Sequence, residues 1–332
     1  MDIAIEELHR ILLDAFRALG APEEEAAAAA EMCLDSELRE HRSHGARLVR
    51  NIAREYAQGA ERRGELTIEN GTAASATIDG GYHLSPFVHR TAVDLVADKA
   101  ASVGIAMVGV RNAGVSGALG YLVERIAQRG LVGIALNSTP VVVVAPGTST
   151  PALGTNPLAI ALPRDGGEPL VLDMATSAIA FNNVMRLRAL GEQLPEGVAL
   201  DTEGRPTTDP EATLDAQGRG RVLPFGGHRG FGLALMIELL VAGYVTGRAG
   251  SVKRGDVLHE PDDFGALYLA LDPALLGDRA AGDAAVEALL GEIADAGGRI
   301  PGENSRRVRE AHLASGTVTL DDNAIEVLGL SR

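Results

Sequence analysis

The chain has 332 residues, of which 46% are hydrophobic and 3% aromatic, and its formal net charge is −15. This length predicts one to three domains with a large buried core. The acidic charge argues against nucleic-acid and membrane partners, and the scarcity of aromatic rings argues against a base-stacking platform. Cys33 is the single cysteine, and the N-terminus lacks a basic signal segment, so we expect a cytoplasmic protein without an intramolecular disulfide.

Residues 2–60 are predicted to be mainly helical. Apolar side chains recur at helical spacing from Ile5 to Leu19, and Gly20 ends this first helix. Pro22, followed by three glutamates and an alanine run, predicts the start of a second helix. The segment Glu40-His-Arg-Ser-His-Gly45 should lie at or just past the end of that helix.

From Leu66 onward the pattern indicates a sheet with interspersed helices. The predicted strands cover 66–68, 76–78, 104–110, 131–136, 141–145, 158–162, 170–173 and 266–271. The predicted helices cover 85–101, 114–130, 233–245 and 283–296, with loops at 191–222 and 248–265 and a strand and short helix at 317–330. Most gaps between strands are too short for parallel crossovers, so we expect an α/β (α+β-like), non-Rossmann fold with a largely antiparallel or mixed central sheet flanked by helices.

The segment 40–45 places two imidazoles, a hydroxyl and a guanidinium within four positions. We predict that His44 gives a proton to a small carboxylate-bearing substrate, the alternative being a solvated histidine at a helix end. A hydrolase pair is disfavoured, because neighbouring helical residues such as Ser43 and His44 point in different directions and should not bond each other. His41 and His44 have the spacing of metal ligands, but no third ligand cluster accompanies them, so no metal site is expected.

Two glycine-rich segments bear on nucleotide binding. Gly114 to Gly120 follows a strand, but its spacing does not match a Rossmann fingerprint, and the next strand ends in Asn137 rather than an acid. These glycines are better interpreted as close-packing positions. Gly226 to Gly232 precedes an apolar helix and contains Arg229, which predicts an anion site at a helix N-terminus, with a plain turn as the alternative.

Asp173 ends an apolar strand in the segment Leu172 to Ser177. An acid in this position acts either as a helix cap or as the buried partner of an imidazole. In the second role it would raise the pKa of the partner histidine and favour its acid form.

Together these motifs resemble the type-2 malate/L-lactate dehydrogenase family. That family includes ureidoglycolate and sulfolactate dehydrogenases, diketogulonate reductases and piperideine-2-carboxylate/pyrroline-2-carboxylate reductases. The matching segments are 35–45, 110–112, 153–157, 172–177, 195–210, 226–232 and 301–303. The resemblance implies an NAD(P)-dependent enzyme without a Rossmann domain, active as a homodimer with its site near the subunit interface.

Site residues follow from the same resemblance. It implies that Ser43, His44 and Asp173 are catalytic, with His44 as proton donor. Arg47 would bind the substrate carboxylate, and Thr155 would also bind the substrate. The implied cofactor-binding residues are His44, Gly117, Thr139, Asp173, Met174, Ala175, His228, Arg229, Pro301, Gly302 and Glu303. The cofactor would be NADP or NAD. Arg306 and Arg307 slightly favour NADPH because they could meet a 2′-phosphate, the equal alternative being a solvated helix face. We expect a helical region at 1–70 packed with the tail 300–332, a connecting segment at 71–115 and a cofactor-binding domain at 116–299.

Two departures from the family pattern affect the expected reaction. Val115 stands where the family usually has a proton-accepting histidine, and the chain is one residue shorter between His44 and Arg47. We predict an NAD(P)H-dependent oxidoreductase that transfers hydride at C2 of a small 2-oxo/2-hydroxy acid or cyclic 2-imino acid. A dedicated cyclic ketimine reductase is one alternative, because a basic imine needs less acid help. A catalytically impaired cofactor-binding protein is a second, and metal-dependent hydrolysis a third.

Overall fold

The computed structural model describes residues 1–216, 218–249 and 264–330. Its helices are α1 (Ile5–Arg17), α2 (Glu23–Leu38), α3 (Leu48–Gln58), α4 (Ser85–Val103), α5 (Leu119–Ala127), α6 (Phe181–Leu190), α7 (His228–Glu238), α8 (Arg279–Asp295), α9 (Glu303–Ser315) and α10 (Asp322–Val327). Its strands are β1 (Asp2–Ala4), β2 (Thr67–Glu69), β3 (Ser75–Asp79), β4 (Ile105–Ala113), β5 (Val132–Asn137), β6 (Val143–Val144), β7 (Pro151–Leu153), β8 (Leu158–Arg164), β9 (Gly167–Met174), β10 (Phe264–Leu271) and β11 (Thr317–Thr319). Most of the loop predicted at 248–265 lies outside the described residues.

A seven-stranded sheet in the order β2-β3-β4-β10-β5-β8-β9 forms the middle of the molecule. Only β3 and β4 pair in parallel, and the other neighbours are antiparallel. The prediction of a mixed, largely antiparallel sheet is therefore confirmed. The central strand β10 arrives late in the chain and pairs on both sides, so that Tyr268 stands opposite Val108 of β4 and Ala135 of β5.

Helices α4 and α5 cover one face of this sheet. Val108, Ala135 and Tyr268 alternate with outward residues along their strands and are fully buried in the same core as Val96 of α4 and Ile126 of α5. Burying one large apolar side chain contributes about 1.5–3 kcal/mol, so this face supplies much of the driving force for folding. It also fixes the sheet's edge strand β9, from which the site is built.

The N-terminal helices and the C-terminal tail share a second core. Strand β1 pairs antiparallel with β11, and Ile3 stands opposite Val318. Leu8, Leu12 and Phe16 are fully buried in this cluster, which matches the apolar spacing predicted for the first helix. The chain's two ends therefore lie together on the layer that carries the segment 40–45, while the proposed domain boundaries remain a prediction.

Several local predictions differ from the structure. Helix α7 begins at His228 rather than at residue 233, and helix α9 was not predicted. Helix α5 begins at Leu119 rather than Gly114, because residues 114–118 are irregular, with Gly117 at a φ of 74°. In this segment the Val115 N–H donates to the Glu55 carboxylate at 3.0 Å. The strand predicted at 141–145 shortens to two residues of β6. Helix α6 was not predicted, because its ten residues are too few for their apolar spacing to identify a helix.

Helix α7 continues as a π-helix, Leu239–Val245. By length and composition alone, the combined stretch His228–Val245 is apolar enough to cross a membrane, and 33% of it is buried in the structure. The core helix of a soluble protein passes the same test. Its inner side packs on the sheet, where a Cβ placed on Gly109 would lie 3.0 Å from the Val245 side chain.

Candidate active site

A compact turn connects α2 to α3 and carries the histidine motif. Glu37, buried at the end of α2, accepts the Ala46 N–H at 2.7 Å. A Cβ on Gly45 would lie 2.1 Å from the same carboxylate, so only glycine fits there. Burial raises the Glu37 pKa to about 7, although the Ala46 N–H opposes the shift. The glycine and the buried acid together hold the turn in one conformation.

Within this turn Ser43 Oγ and His44 Nδ1 lie 2.8 Å apart. The expectation that these neighbours would not bond was wrong, because α2 ends at Leu38 and the motif is a turn rather than a helix. Burial, and secondarily the nearby His41, lower the pKa of His44 to about 4. His44 is therefore neutral at physiological pH in the ligand-free protein.

His41 connects the turn to helix α9. Its Nε2 lies 2.8 Å from Ser305 Oγ, near the start of that helix. Farther along α9, Arg309 donates to Asp35 at 2.8 Å and His312 contacts the Leu38 carbonyl at 2.8 Å. None of the residues of α9 is buried, so these polar contacts hold the helix against α2 and the 40–45 turn. They also position the Pro301–Glu303 turn at the start of the helix.

Asp173 lies at the end of the edge strand β9 and remains exposed in the single chain. Its Oδ2 accepts the Gly120 N–H at 2.7 Å. Although the residue as a whole is exposed, the atoms packed around its carboxylate desolvate it and raise the pKa of Asp173, and the Gly120 N–H opposes that shift. Among the described residues no hydrogen bond or ion pair joins Asp173 to His44, so the carboxylate expected to raise that histidine's pKa does not do so here.

A buried asparagine organises the loops next to Asp173. Asn156 is fully buried, with a positive φ of 23°, and its amide donates to the Ala234 carbonyl and to Glu238, each at 3.0 Å. Its Oδ1 accepts the Thr139 N–H at 3.0 Å. The hydroxyls of Thr139 and Thr155 lie 3.1 Å apart, which brings these two expected ligand-binding residues together.

The glycine-rich segment forms an open cradle at the N-terminus of α7. Gly226 and Gly227 have positive φ values of 54° and 63°, and a Cβ on either would meet no atom within 4 Å. His228 and Arg229 are exposed, and no side-chain partner is seen for them in the described part of the chain. The N–H groups of Gly227 and Arg229 are bonded to the Pro224 and Gly226 carbonyls at 3.3 and 3.4 Å, so the features left for an anion are the helix dipole and the fixed cation. Both suit the diphosphate of a dinucleotide. The residues present therefore fit a nicotinamide cofactor.

The Pro301–Glu303 turn packs directly on β9. A Cβ on Gly302, whose φ is 78°, would lie 2.8 Å from the Val171 carbonyl, so the close approach needs glycine. This contact places the turn beside the strand that ends in Asp173 and Met174. Two segments expected to bind the cofactor thus meet at one sheet edge.

Arg47 lines a 340 Å³ cleft beside the turn that carries His44. Its Nη1 is buried without a hydrogen-bond partner in the described structure. Val115 is partly buried against the N-terminal core, so the family's second histidine is replaced by a packing residue. The described residues contain no group of three or more His, Cys, Asp or Glu side chains placed to hold a metal ion.

Sequence reasoning did not identify Arg186, which lines the same cleft. It lies on α6, between the buried Val184 and Leu187 in sequence. The apolar spacing of these two residues, next to basic positions 186 and 188, was the available signal. It is too short to predict a helix by itself.

Comparison with known proteins relates this arrangement to a family of oxidoreductases. Residues 3–329 match the family model for malate/L-lactate dehydrogenase. The chain is 34% identical over 338 residues to an L-sulfolactate dehydrogenase of Methanothermobacter thermautotrophicus, covering 100% of this chain and 97% of the relative. It is 35% identical over 283 residues to a (2R)-3-sulfolactate dehydrogenase (NADP(+)) of Chromohalobacter salexigens, covering 83% and 82%. The crystal structure of delta1-piperideine-2-carboxylate reductase from Pseudomonas syringae pv. tomato matches with a TM-score of 0.87 at 31% identity, covering 99% of this chain and 98% of that one.

Proposed function

Because the chain belongs to the malate/L-lactate dehydrogenase family, we propose that it reduces C2 of a small 2-oxo acid or cyclic 2-imino acid with NADPH or NADH. The observation that carries this proposal is the partly buried Ser43–His44 pair three positions before Arg47, whose Nη1 is buried without a hydrogen-bond partner in the described structure. A proton-transfer group and a carboxylate anchor are thus supplied by one turn. The bound nicotinamide would supply the hydride.

Three segments of the chain would hold the cofactor. The Gly226–Arg229 cradle would bind the diphosphate, while Asp173 to Ala175 and the Pro301–Glu303 turn would line the remainder. Thr139 and Gly117 are also expected to line the cofactor site. Helix α9 carries Arg306 and Arg307, which favour NADPH. Arg306 lies 4.0 Å from Glu310, whereas the hydrogen bond seen for Arg307 among the described residues goes to the neutral Asn304 at 2.8 Å. A lower KM for NADH than for NADPH would contradict that preference.

His44 would move the proton. When the Ser43 hydroxyl donates to Nδ1, the second ring nitrogen, Nε2, keeps its hydrogen and faces no competing protein partner in the described structure. Reduction of a ketone requires a proton on the substrate oxygen, which a histidine of pKa about 4 supplies poorly at neutral pH. A cyclic imine is basic and binds its own proton, so its reduction needs less from His44. This difference favours the cyclic ketimine within the proposed substrate class, as does Val115.

The test compares wild-type enzyme with His44→Gln in NADPH and NADH oxidation assays. Piperideine-2-carboxylate, pyruvate and oxaloacetate are the trial substrates, and His9→Gln on α1 is the matched control. We expect His44→Gln to lower kcat for a 2-oxo acid by about 10²–10⁴-fold, and for the imine by less, because only the ketone needs full proton transfer. Unchanged turnover would remove His44 from the mechanism. Wild-type enzyme inert toward every acid would instead support the cofactor-binding alternative.

A homodimer in the cytoplasm completes the proposal. Five large apolar side chains are exposed on one stretch of α7 and its π-helical continuation, namely Leu235, Met236, Leu239, Leu240 and Tyr244. A contiguous apolar patch on a soluble enzyme is best explained by a subunit contact. Light scattering that gave the mass of a single chain at assay concentrations would contradict the dimer, and membrane-bound activity after cell fractionation would contradict the location.

A further inference from the structure

His41 is the histidine of the segment 40–45 that the proposed function leaves without a role. Its backbone closes helix α2: the His41 N–H donates to the Ser36 carbonyl at 2.8 Å, and the intervening Glu40 has a positive φ of 55°. This is the Schellman geometry, which usually has glycine at the left-handed position. A glutamate is unfavourable in that conformation, so the fold holds His41 in place against local strain.

The backbone of His41 is bonded directly to that of His44. The His41 carbonyl accepts the His44 N–H at 2.7 Å, so a shift of His41 also moves the backbone from which the His44 ring projects. The two rings are close enough for His41 to add to the effect of burial in lowering the pKa of His44. Burial, and secondarily Arg39, lower the pKa of His41 itself, although Asp35 opposes the shift. The His41 ring is therefore neutral at physiological pH, and its Nε2 can either donate to a hydroxyl or accept from one.

The ring of His41 reaches helix α9. Its Nε2 lies 2.8 Å from Ser305 Oγ, and Ser305 is the third residue of that helix. The Pro301–Glu303 turn leads into the helix and packs on β9 against the Val171 carbonyl. One hydrogen bond therefore joins the turn that carries His44 to the turn that is expected to line the cofactor.

Helix α9 is held in place by polar contacts. All 13 of its residues are described, and none of them is buried. Ser305, Arg309 and His312 lie on one face of the helix and contact α2 or the turn that follows it, each at 2.8 Å. Gly302 and Gly316, both with a positive φ, flank the helix. A helix attached by a few partly exposed hydrogen bonds has a low local stability, so the loss or gain of one bond should change how firmly it is held.

We propose that His41 is a positioning residue that couples the two halves of the site through its hydrogen bond to Ser305. Cofactor bound against the Pro301–Glu303 turn fixes α9, and with it the turn that carries His44. By thermodynamic linkage, an acid bound beside His44 strengthens cofactor binding by the same factor. The inference rests on the proposed function, which assigns the cofactor and the acid to these two turns. His41 contacts no reacting atom in this scheme and acts only through His44 and α9.

The experiment measures NADPH binding by the fluorescence of the reduced nicotinamide, with and without saturating oxamate, an unreactive isostere of pyruvate. In wild type we expect oxamate to tighten NADPH binding by about 5–10-fold, which is a common size for coupling between two sites. His41→Leu and Ser305→Ala should each abolish this enhancement. The double variant should lose no more than either single variant, because both substitutions remove the same bond.

His312→Leu is the matched control. It removes another polar contact between α9 and α2, at the end of the helix remote from the Pro301–Glu303 turn, and should keep the enhancement. His41→Gln can still bond Ser305 through its side-chain amide, so it should retain part of the enhancement that His41→Leu loses.

Thermal melts separate coupling from a purely structural role. If the bond only holds α9 in place, His41→Leu and His312→Leu should lower the melting temperature alike, while oxamate tightens NADPH binding as it does in wild type. That result would overturn the inference, as would wild-type protein in which oxamate has no effect on NADPH binding.

These titrations need no turnover, so they also separate the inference from the proposed function. An enhancement that disappears in His41→Leu, in a protein that reduces none of the trial acids, would sustain the coupling and end the reductase proposal. Turnover that depends on His44, with the enhancement unchanged in His41→Leu, would do the opposite.

Discussion

The two halves of the candidate site differ in how enclosed and preorganised they are in the absence of ligands. The substrate half, at residues 37–47, is enclosed: a buried acid fixes the turn, and burial keeps His44 neutral. The cofactor half is open, with Asp173 and the Gly226–Arg229 cradle exposed. The contrast indicates that the substrate half selects by fixed charge and shape, whereas the cofactor half depends on a ligand or a second subunit to complete it.

The largest expected effect concerns the enclosed half. Replacing Arg47 with Met should lower kcat/KM by about 100-fold, mainly through KM, because the substrate carboxylate loses its charge-assisted contact. The same change should leave the melting temperature unchanged or raise it, since a partly buried cation without a partner is removed. Arg50→Met, exposed and paired with Glu326, is the control. A large loss of stability would mean that Arg47 is structural, and the comparison of the halves would fail.

The next effect uses pH to locate the desolvated groups. His89 is fully buried, with Nδ1 2.8 Å from the Tyr268 hydroxyl, and burial lowers its pKa to about 4. Its neutral form stabilises the fold fully above pH 6.5. As pH falls from 6.5 toward 4, only the unfolded chain gains the proton, so stability drops by about 1.4 kcal/mol per pH unit, or about 3 kcal/mol in total.

Denaturant melts between pH 7.5 and 4.5 would measure this dependence. His89→Gln should reduce the slope of unfolding free energy against pH by the amount that corresponds to one proton. This change in slope is expected whatever the substitution does to stability at neutral pH. The exposed His228→Gln should leave the slope as in wild type. Equal slopes in wild type and His89→Gln would show that the acid sensitivity arises elsewhere.

The smallest effect concerns the open half. Arg229→Met should raise the KM for the nicotinamide cofactor by about 10-fold with little change in kcat, because an exposed cation contributes modestly to phosphate binding. Arg188→Met, which removes an exposed arginine paired with Glu211, provides the background change in KM. An effect as large as that of Arg47→Met would show that the cradle closes around its ligand and is as enclosed as the substrate half.

Much of the fold could be predicted from the sequence because its signals are local. Apolar spacing identified α1, and short gaps between strands identified an antiparallel sheet. The position of β10 between β4 and β5 could not be predicted, because strand order depends on contacts far apart in the chain. The glycine cradle at α7 was foreseen since its conformation is encoded in a few adjacent residues.

The candidate site was predictable only in part. The segments that contain His44, Asp173 and Arg229 were recognised from motifs, and their roles stay predictions until tested. The ring environment of His44 was not foreseen, because desolvation depends on residues from several elements. Arg186 was missed for the same reason: its proximity to Arg47 is created by packing and leaves no pattern in the sequence.

The late arrival of β10 has a consequence for synthesis on the ribosome. Until residues 264–271 emerge, β4 and β5 each have an unpaired backbone edge where the finished protein has its middle strand. A nascent chain therefore carries two separate, incomplete sheets until β10 is made. The unpaired edges of β4 and β5 can pair with other chains and cause aggregation until β10 joins them. Chaperone demand during production should depend on how quickly the chain between the end of β9 at Met174 and the end of β10 at Leu271 is made.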